Sequence, residues 1–228
     1  GLNLEGAAKN GAITYIAGVR NKSNRNLLSN QPVQGSYIPS ASDFQAYITY
    51  KVSSKIQLEL LGIFNESRFS YFPETVKKTS SVFSPLFSSN LGLDIYFEGQ
   101  EKDRYSTGMA GASLTHTPNK NLKLKWMLSR FTDNEKENYD IGGAYLFGDR
   151  DFDNTSSTFG EIVNPLGAGY YQNYARNELN IGIWNFNHKG SLDKGRHFIQ
   201  WGNSIEQTKI KDRLKQWEYQ DSAGYSLP

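Results

Sequence analysis

The chain has 228 residues, three histidines, no cysteine and a formal net charge of +2, with a pI near 8.6. The lack of thiols excludes disulfide scaffolds, thiolate zinc sites and cysteine nucleophiles, and the balanced charge gives no basis for a nucleic-acid groove. Mean hydropathy is −0.61 and no apolar run approaches the ~18–20 residues of a membrane helix, so helical insertion is excluded. Insertion as a barrel is not, because every second residue of a barrel strand is free to be polar.

Alternation starts at once with Leu2-Asn3-Leu4-Glu5. A first hairpin is predicted over 2–20, where 2–8 meets 12–20 around Lys9-Asn10-Gly11, and Asn-Gly is a strong short-range hairpin signal. Its second strand sets Ile13, Tyr15, Ala17 and Val19 against Thr14, Gly18 and Arg20. A second hairpin is predicted over 43–65 around Val52-Ser53-Ser54-Lys55, with Phe44, Ala46, Ile48 and Tyr50 on one face. The third, over 105–130, begins with a strand rich in glycine and alanine. It continues into the clearest one, where Leu122, Leu124, Trp126 and Leu128 share a face opposite Lys123, Lys125 and Ser129. The fourth, over 174–211, alternates through Leu179, Ile181 and Ile183 and then switches phase at Trp184 and Phe186, as a bulge or a change to interface packing would cause.

Between the hairpins lie three connections expected to be long loops, roughly 21–42, 70–104 and 133–173. Compact domains have median loops of about 4–6 residues. Strict alternation of short and long connections suits a barrel inserted from one side, with its short turns at one membrane face. The fold class expected is therefore all-β, an antiparallel up-and-down meander of about eight strands forming part of a larger transmembrane barrel.

Few residues suggest chemistry. His188 and His197 flank the 189–196 turn and are read as polar strand-end residues, with a metal or proton switch as the lesser alternative; His116 likewise sits beside a turn. Asp149, Asp151 and Asp153 open like a calcium loop, but Asn154 and Gly160 occupy the positions where the helix-loop-helix version needs Gly and Glu. They are read as a solvated acidic loop. Asp133-Asn134-Glu135-Lys136-Glu137 is read as the base of another. No nucleophile–base pair, phosphate loop or paired-carboxylate motif stands out, so neither catalysis nor a cofactor is expected.

Several stretches resemble segments of TonB-dependent outer-membrane receptors of Gram-negative bacteria, of the type with a carboxypeptidase-regulatory-like domain ahead of the plug. They are Asn3-Leu4-Glu5-Gly6-Ala7-Ala8-Lys9-Asn10-Gly11, Ile95-Tyr96-Phe97-Glu98-Gly99-Gln100-Glu101, Asn134 to Ile141, Tyr174-Ala175-Arg176-Asn177, Gln200-Trp201-Gly202 and Asp221 to Pro228. The resemblance spans nearly the whole chain and implies a barrel of about 22 strands around a plug that TonB pulls on. With no plug ahead of Gly1 and no terminal aromatic strand, the chain is expected to be an internal barrel segment cut from something longer.

The implied role is that of wall and outer loops in an importer of a scarce or large nutrient such as an iron chelate, a corrinoid or a glycan. The implied partners are membrane lipid, the rest of the barrel and plug, TonB through the plug, and a surface lipoprotein. Lipid contact is expected at Leu122, Leu124, Trp126 and Leu128. Ligand contact is expected from loop side chains such as Tyr71, Phe72, Tyr145 and Phe147. Two other arrangements share the pattern: a complete eight-stranded outer-membrane barrel, and a soluble β-sandwich binding module.

Overall fold

The computed structural model describes residues 1–23, 35–84 and 87–221. The fold is all-β: β1 (Leu2–Ala8), β2 (Ile13–Ser23), β3 (Ser36–Tyr37), β4 (Ser40–Ser53), β5 (Ile56–Phe72), β6 (Val76–Ser84), β7 (Phe87–Asn119), β8 (Leu122–Arg150), β9 (Ile162–Lys194), β10 (His197–Arg213) and β11 (Gln216–Asp221). All belong to one antiparallel sheet whose main path, β1-β2-β4-β5-β7-β8-β9-β10, is the eight-strand meander expected from the sequence. Short β3, β6 and β11 pair onto β5, β7 and β9. Each strand makes its substantial contacts with its hydrogen-bonded neighbours, so the described residues form one layer and no two-sheet sandwich. No pairing among them joins β1 to β10, and both strands are open edges.

The turns form where the sequence places them. Lys9, Asn10 and Gly11 all take positive φ (50°, 55° and 84°), which explains the Asn-Gly pair between β1 and β2. At the β7–β8 turn the Asn119 side-chain oxygen accepts the backbone N–H groups of Asn121 and Leu122, both at 3.0 Å.

Two expectations fail. The stretches 70–104 and 133–173 are mostly strand, because β7, β8 and β9 run for 33, 29 and 33 residues. Of the 133–173 connection only 151–161 is non-strand, and the run Asp133 to Glu137 lies inside β8. At Glu101-Lys102-Asp103-Arg104 and Glu135-Lys136-Glu137 alternation is in the sign of charge rather than in hydrophobicity, which leaves strand geometry intact while hiding the apolar pattern there. The connection expected at 21–42 falls largely on residues 24–34, outside the described residues. Nor is there a bulge at Ile183: pairing runs unbroken through it on both sides, so Ile181 and Ile183 lie on one face and Trp184 and Phe186 on the other.

Register sorts the side chains because directly opposed residues share a face. Leu4, Ala17, Ala46, Gly62 and Ala110 fall on one face, as do Tyr15, Ile48, Leu60, Ala112, Leu128 and Phe186. Trp126 and Leu124 continue this apolar band toward the turns, and Ile199, Trp201 and Ile205 extend it onto β10. It covers seven to nine residues of each strand, about 20–26 Å along the chain. Along β5, β7 and β8 this face is the more exposed of the two, which marks it as convex.

Among the described residues only Val76 and Ile141 are buried apolar side chains, while Leu60 is 51% exposed and Ile205 67%. The chain exposes 15862 Å², against about 10,500 Å² for a compact monomer of its mass.

The opposite, concave face is mixed across the band: Leu61, Ile63, Met109 and Phe131 lie there beside a set of polar contacts. Lys125 Nζ pairs with Glu59 Oε2 at 2.7 Å, Ser113 donates to the same oxygen at 2.5 Å, and Thr14 and Thr49 hydroxyls meet at 2.6 Å. The strands are also inclined to the line of turns. Ala8, Tyr50, Leu114, Trp126 and His188 lie on one row of directly opposed residues. The turn follows Ala8 immediately, yet lies several residues beyond Trp126 and His188. Closing a sheet into a barrel requires such a stagger.

Candidate functional site

Beyond the band, on the side away from the turns, the concave face carries a grid of acids and aromatics. Tyr71, Glu101 and Tyr139 stand directly opposite one another on β5, β7 and β8. In the next row come Phe69, Asp103, Glu137 and Asn177, and in the one after it Tyr105, Glu135 and Leu179. Tyr37 on β3 closes one side, stacking on Tyr71 with ring centroids 4.5 Å apart.

Hydrogen bonds hold the grid. Tyr105 donates to Glu137 at 3.1 Å, Asn177 Nδ2 donates to the other Glu137 oxygen at 3.3 Å, and Thr107 donates to Asp133 at 2.8 Å. The Asn138 backbone N–H donates to Asp103 at 3.2 Å.

Packing these groups together shifts their acidities. Burial, with Asp103 beside it, holds the Glu101 carboxyl above the usual carboxylate range. Asp103, 8% exposed, is likewise pushed up by burial, against the opposing pull of the Asn138 N–H. Burial and then the Asp133 side chain raise Glu135. The Tyr71 phenol is pushed up to about 12 by burial and its Tyr37 neighbour, and burial followed by Glu101 raises Tyr139. The result is a concave surface of protonatable acceptors between aromatic rings, suited to hydrogen bonding and stacking on a polar ligand.

The residues expected to contact ligand are not brought together. Tyr71 belongs to the grid, but Phe72 falls on the convex face. Tyr145 and Phe147 share the concave face on β8, six and eight residues beyond Tyr139, or roughly 20–26 Å away. All four lie on strands rather than loops. Tyr145 lies across the directly opposed Gly169, and the same device recurs at Gly6–Tyr15, Gly143–Tyr171 and Gly190–Trp201, where a ring occupies the space a Cβ would need. Sequence reading misses Glu101, Asp103 and Glu135. Their signal is an acid at every second position over 101–103 and 133–137, the spacing that puts them on one strand face.

Leu122, Leu124, Trp126 and Leu128 share the convex face, as expected. His188 and His197 do not meet: His197 stands opposite Lys194, while His188 stacks on Trp126 at 5.2 Å and accepts the Trp201 indole N–H at 3.2 Å. Asp151 and Asp153 fold their own loop. Asp151 accepts the Asp153 N–H at 2.8 Å and the Thr158 hydroxyl at 2.8 Å, and Asp153 accepts the Thr155 N–H at 2.9 Å. These bonds, led by the Ser156 and Thr155 side chains, hold both carboxyls below their usual range. Among the described residues no three His, Asp or Glu side chains converge as a metal site, and Asp149, Asp151 and Asp153 do not form one.

Farther out, Arg150 ties the strands together. Its guanidinium pairs with Asp94, with both side chains almost fully buried, and donates to the Gly160 carbonyl at 2.6 Å. Comparison of the chain with protein-family models, with curated proteins and with solved structures gives no match.

Proposed function

We propose that this chain is a wall segment of a transmembrane β-barrel, of the TonB-dependent outer-membrane receptor type, whose long outer strands present a ligand-binding surface for uptake of a large or scarce nutrient. One observation carries the reading: the polarity of the sheet is inverted. Across the band, the exposed convex face holds most of the leucines and aromatics, and the half-buried concave face holds the Lys125–Glu59 and Arg20–Asp43 ion pairs. In water such a sheet would leave a continuous apolar band uncovered, far beyond the few hundred Å² that monomeric soluble proteins expose. In a bilayer the same band is what the lipid requires, and its extent along the strands approaches the ~25 Å apolar belt of outer-membrane barrels.

The open β1 and β10 edges favour a segment of a larger barrel over a closed eight-stranded one. The sequence resemblance supplies the receptor family, and the acid–aromatic grid on the lumen side supplies a surface for ligand. Bacterial outer-membrane localisation follows from this reading.

Folding the purified chain with and without a mild detergent or lipid vesicles tests it. The expected result is native strand content and protease resistance only when the amphiphile is present. A monodisperse monomer with a sharp melt in plain buffer would sink the reading. In the parent receptor, Tyr139→Ala with Glu101→Ala should impair uptake while the barrel still inserts.

A further inference from the structure

Just past the apolar band, on the side away from the turns, charge is sorted by face. Strand alternation sends adjacent residues to opposite sides, so Lys209-Ile210-Lys211-Asp212-Arg213 on β10 puts three cations on the convex face and its acid on the concave one. β7 and β8 behave likewise. Arg104, Arg130 and Lys136 are convex, while Asp103, Asp133, Glu135 and Glu137 are concave.

The convex cations lie against one another. Arg68, Arg104 and Lys136 are directly opposed on three adjacent strands, an arrangement that repels. Glu66 bridges Arg68 and Arg104 at 2.5 and 2.6 Å, and Glu178, which stands between Lys136 and Arg213 in the same row, pairs with Arg213 at 2.7 Å. Those acids leave an excess of positive charge on this face. Arg130 stands at the band's margin with its guanidinium 4.8 Å from the Trp184 ring centroid.

Below this margin runs an apolar groove of about 300 Å³ on the same face, floored by Ala112 and walled by Leu60, Leu114, Leu128 and Phe186. Gly108 and Ala110 continue the strip of small residues from that floor to the cations.

We propose that this cationic margin and the groove beneath it bind anionic membrane lipid, with acyl chain along the small residues of β7, one phosphate-bearing headgroup at Arg130 and further headgroups along the cations beyond it, Lys136 roughly 20 Å farther along β8 and Lys211 on β10. The inference rests on reading the convex face as lipid-facing, and adds that this face selects lipids by charge. The argument is complementarity: cations in excess of Glu66 and Glu178 begin with Arg130 where an apolar band meets its polar border, the level at which lipid phosphates lie. A Lys or Arg near an anionic bilayer surface changes binding about five-fold.

The test is partition of the full chain between buffer and vesicles of pure phosphatidylcholine or of phosphatidylcholine with phosphatidylglycerol, followed by flotation. The expected result is association with both and a clear preference for the anionic vesicles. Substituting Arg130→Gln, Lys136→Gln and Lys211→Gln together should reduce that preference by on the order of a hundredfold. Neutralising three concave-face cations (Lys22→Gln, Lys123→Gln, Lys189→Gln) should leave it in place. On the unaltered chain, which removes any question of misfolded variants, molar salt should abolish the preference while leaving partition into neutral vesicles unchanged. Equal partition into both vesicle types, or a preference that survives salt or the convex substitutions, overturns the lipid site alone. Failure to associate with either vesicle overturns the barrel-wall reading and the lipid site with it.

Discussion

The two ends of the same strands are built on opposite principles. Near the turns, β4, β5, β7 and β8 turn most of their leucines and aromatics outward and bury no apolar side chain; away from the turns, the extensions of β7 and β8 together with β6 enclose Val76, Ile141 and the Asp94–Arg150 pair. The first region has no interior of its own and, on the reading proposed above, is completed by an apolar medium, whereas the second carries buried groups like an ordinary protein in water. On that reading one continuous strand serves two solvents, and the boundary is readable along β5 as the change from Phe64 to Glu66 and Arg68 on the convex face.

The largest expected effect sharpens the contrast from the distal side. Arg150→Ala leaves the Asp94 carboxylate buried without its partner and removes the tie to Gly160. The distal strands should lose about 3–5 kcal/mol. Hydrogen exchange should quicken across 76–95 and 141–150 while 108–130 stays protected. Uniform loss of protection along β7 would show that the two regions do not open separately.

In the band, Leu60→Arg should cost roughly 2–4 kcal/mol in vesicle-based urea unfolding. The same change at an exposed position of a water-soluble sheet should stay within about 0.5 kcal/mol. A near-neutral result in vesicles would therefore break the comparison.

Gly99, directly opposite Ile141, probes the distal region from the backbone side. Its φ of 92° lies in the glycine region, and an added Cβ would come within 2.0 Å of the Asp140 carbonyl oxygen. Gly99→Ala should cost about 1–3 kcal/mol, read as local exchange at 97–103 and 138–142.

The smallest effect is on pH. Glu101 and Asp103 have carboxyl pKa values raised in the folded state, so between the unfolded and folded values the folded chain holds more protons. Stability then falls as pH rises through that window, and is regained as pH drops through the folded value toward the unfolded one. Exchange at 101–105, corrected for intrinsic chemistry, should slow on acidification from neutral, and Glu101→Gln should flatten the response.

The same division explains what the sequence discloses. The eight-strand path is legible because in the band alternation is written in hydrophobicity, as in Leu122, Leu124, Trp126 and Leu128, and turns such as Lys9-Asn10-Gly11 mark its ends. The distal strands are not, since at Glu135-Lys136-Glu137 alternation is written in charge sign, the same composition a solvated loop would have. Tyr145 and Phe147 therefore look like loop aromatics, although each faces a strand glycine across the sheet. The acid–aromatic grid needs the pairing of β5, β7 and β8 to exist at all, because it joins residues such as Tyr71, Glu101 and Tyr139 that only register brings together.

The central claim, that the convex band faces lipid and the concave face water, is tested most directly by spin labels at single positions of β8 in vesicle-reconstituted protein. Labels at 124 and 128 should be accessible to dissolved oxygen and shielded from an aqueous nickel chelate, and labels at 125 and 129 should show the reverse. Aqueous exposure at all four positions would contradict the account.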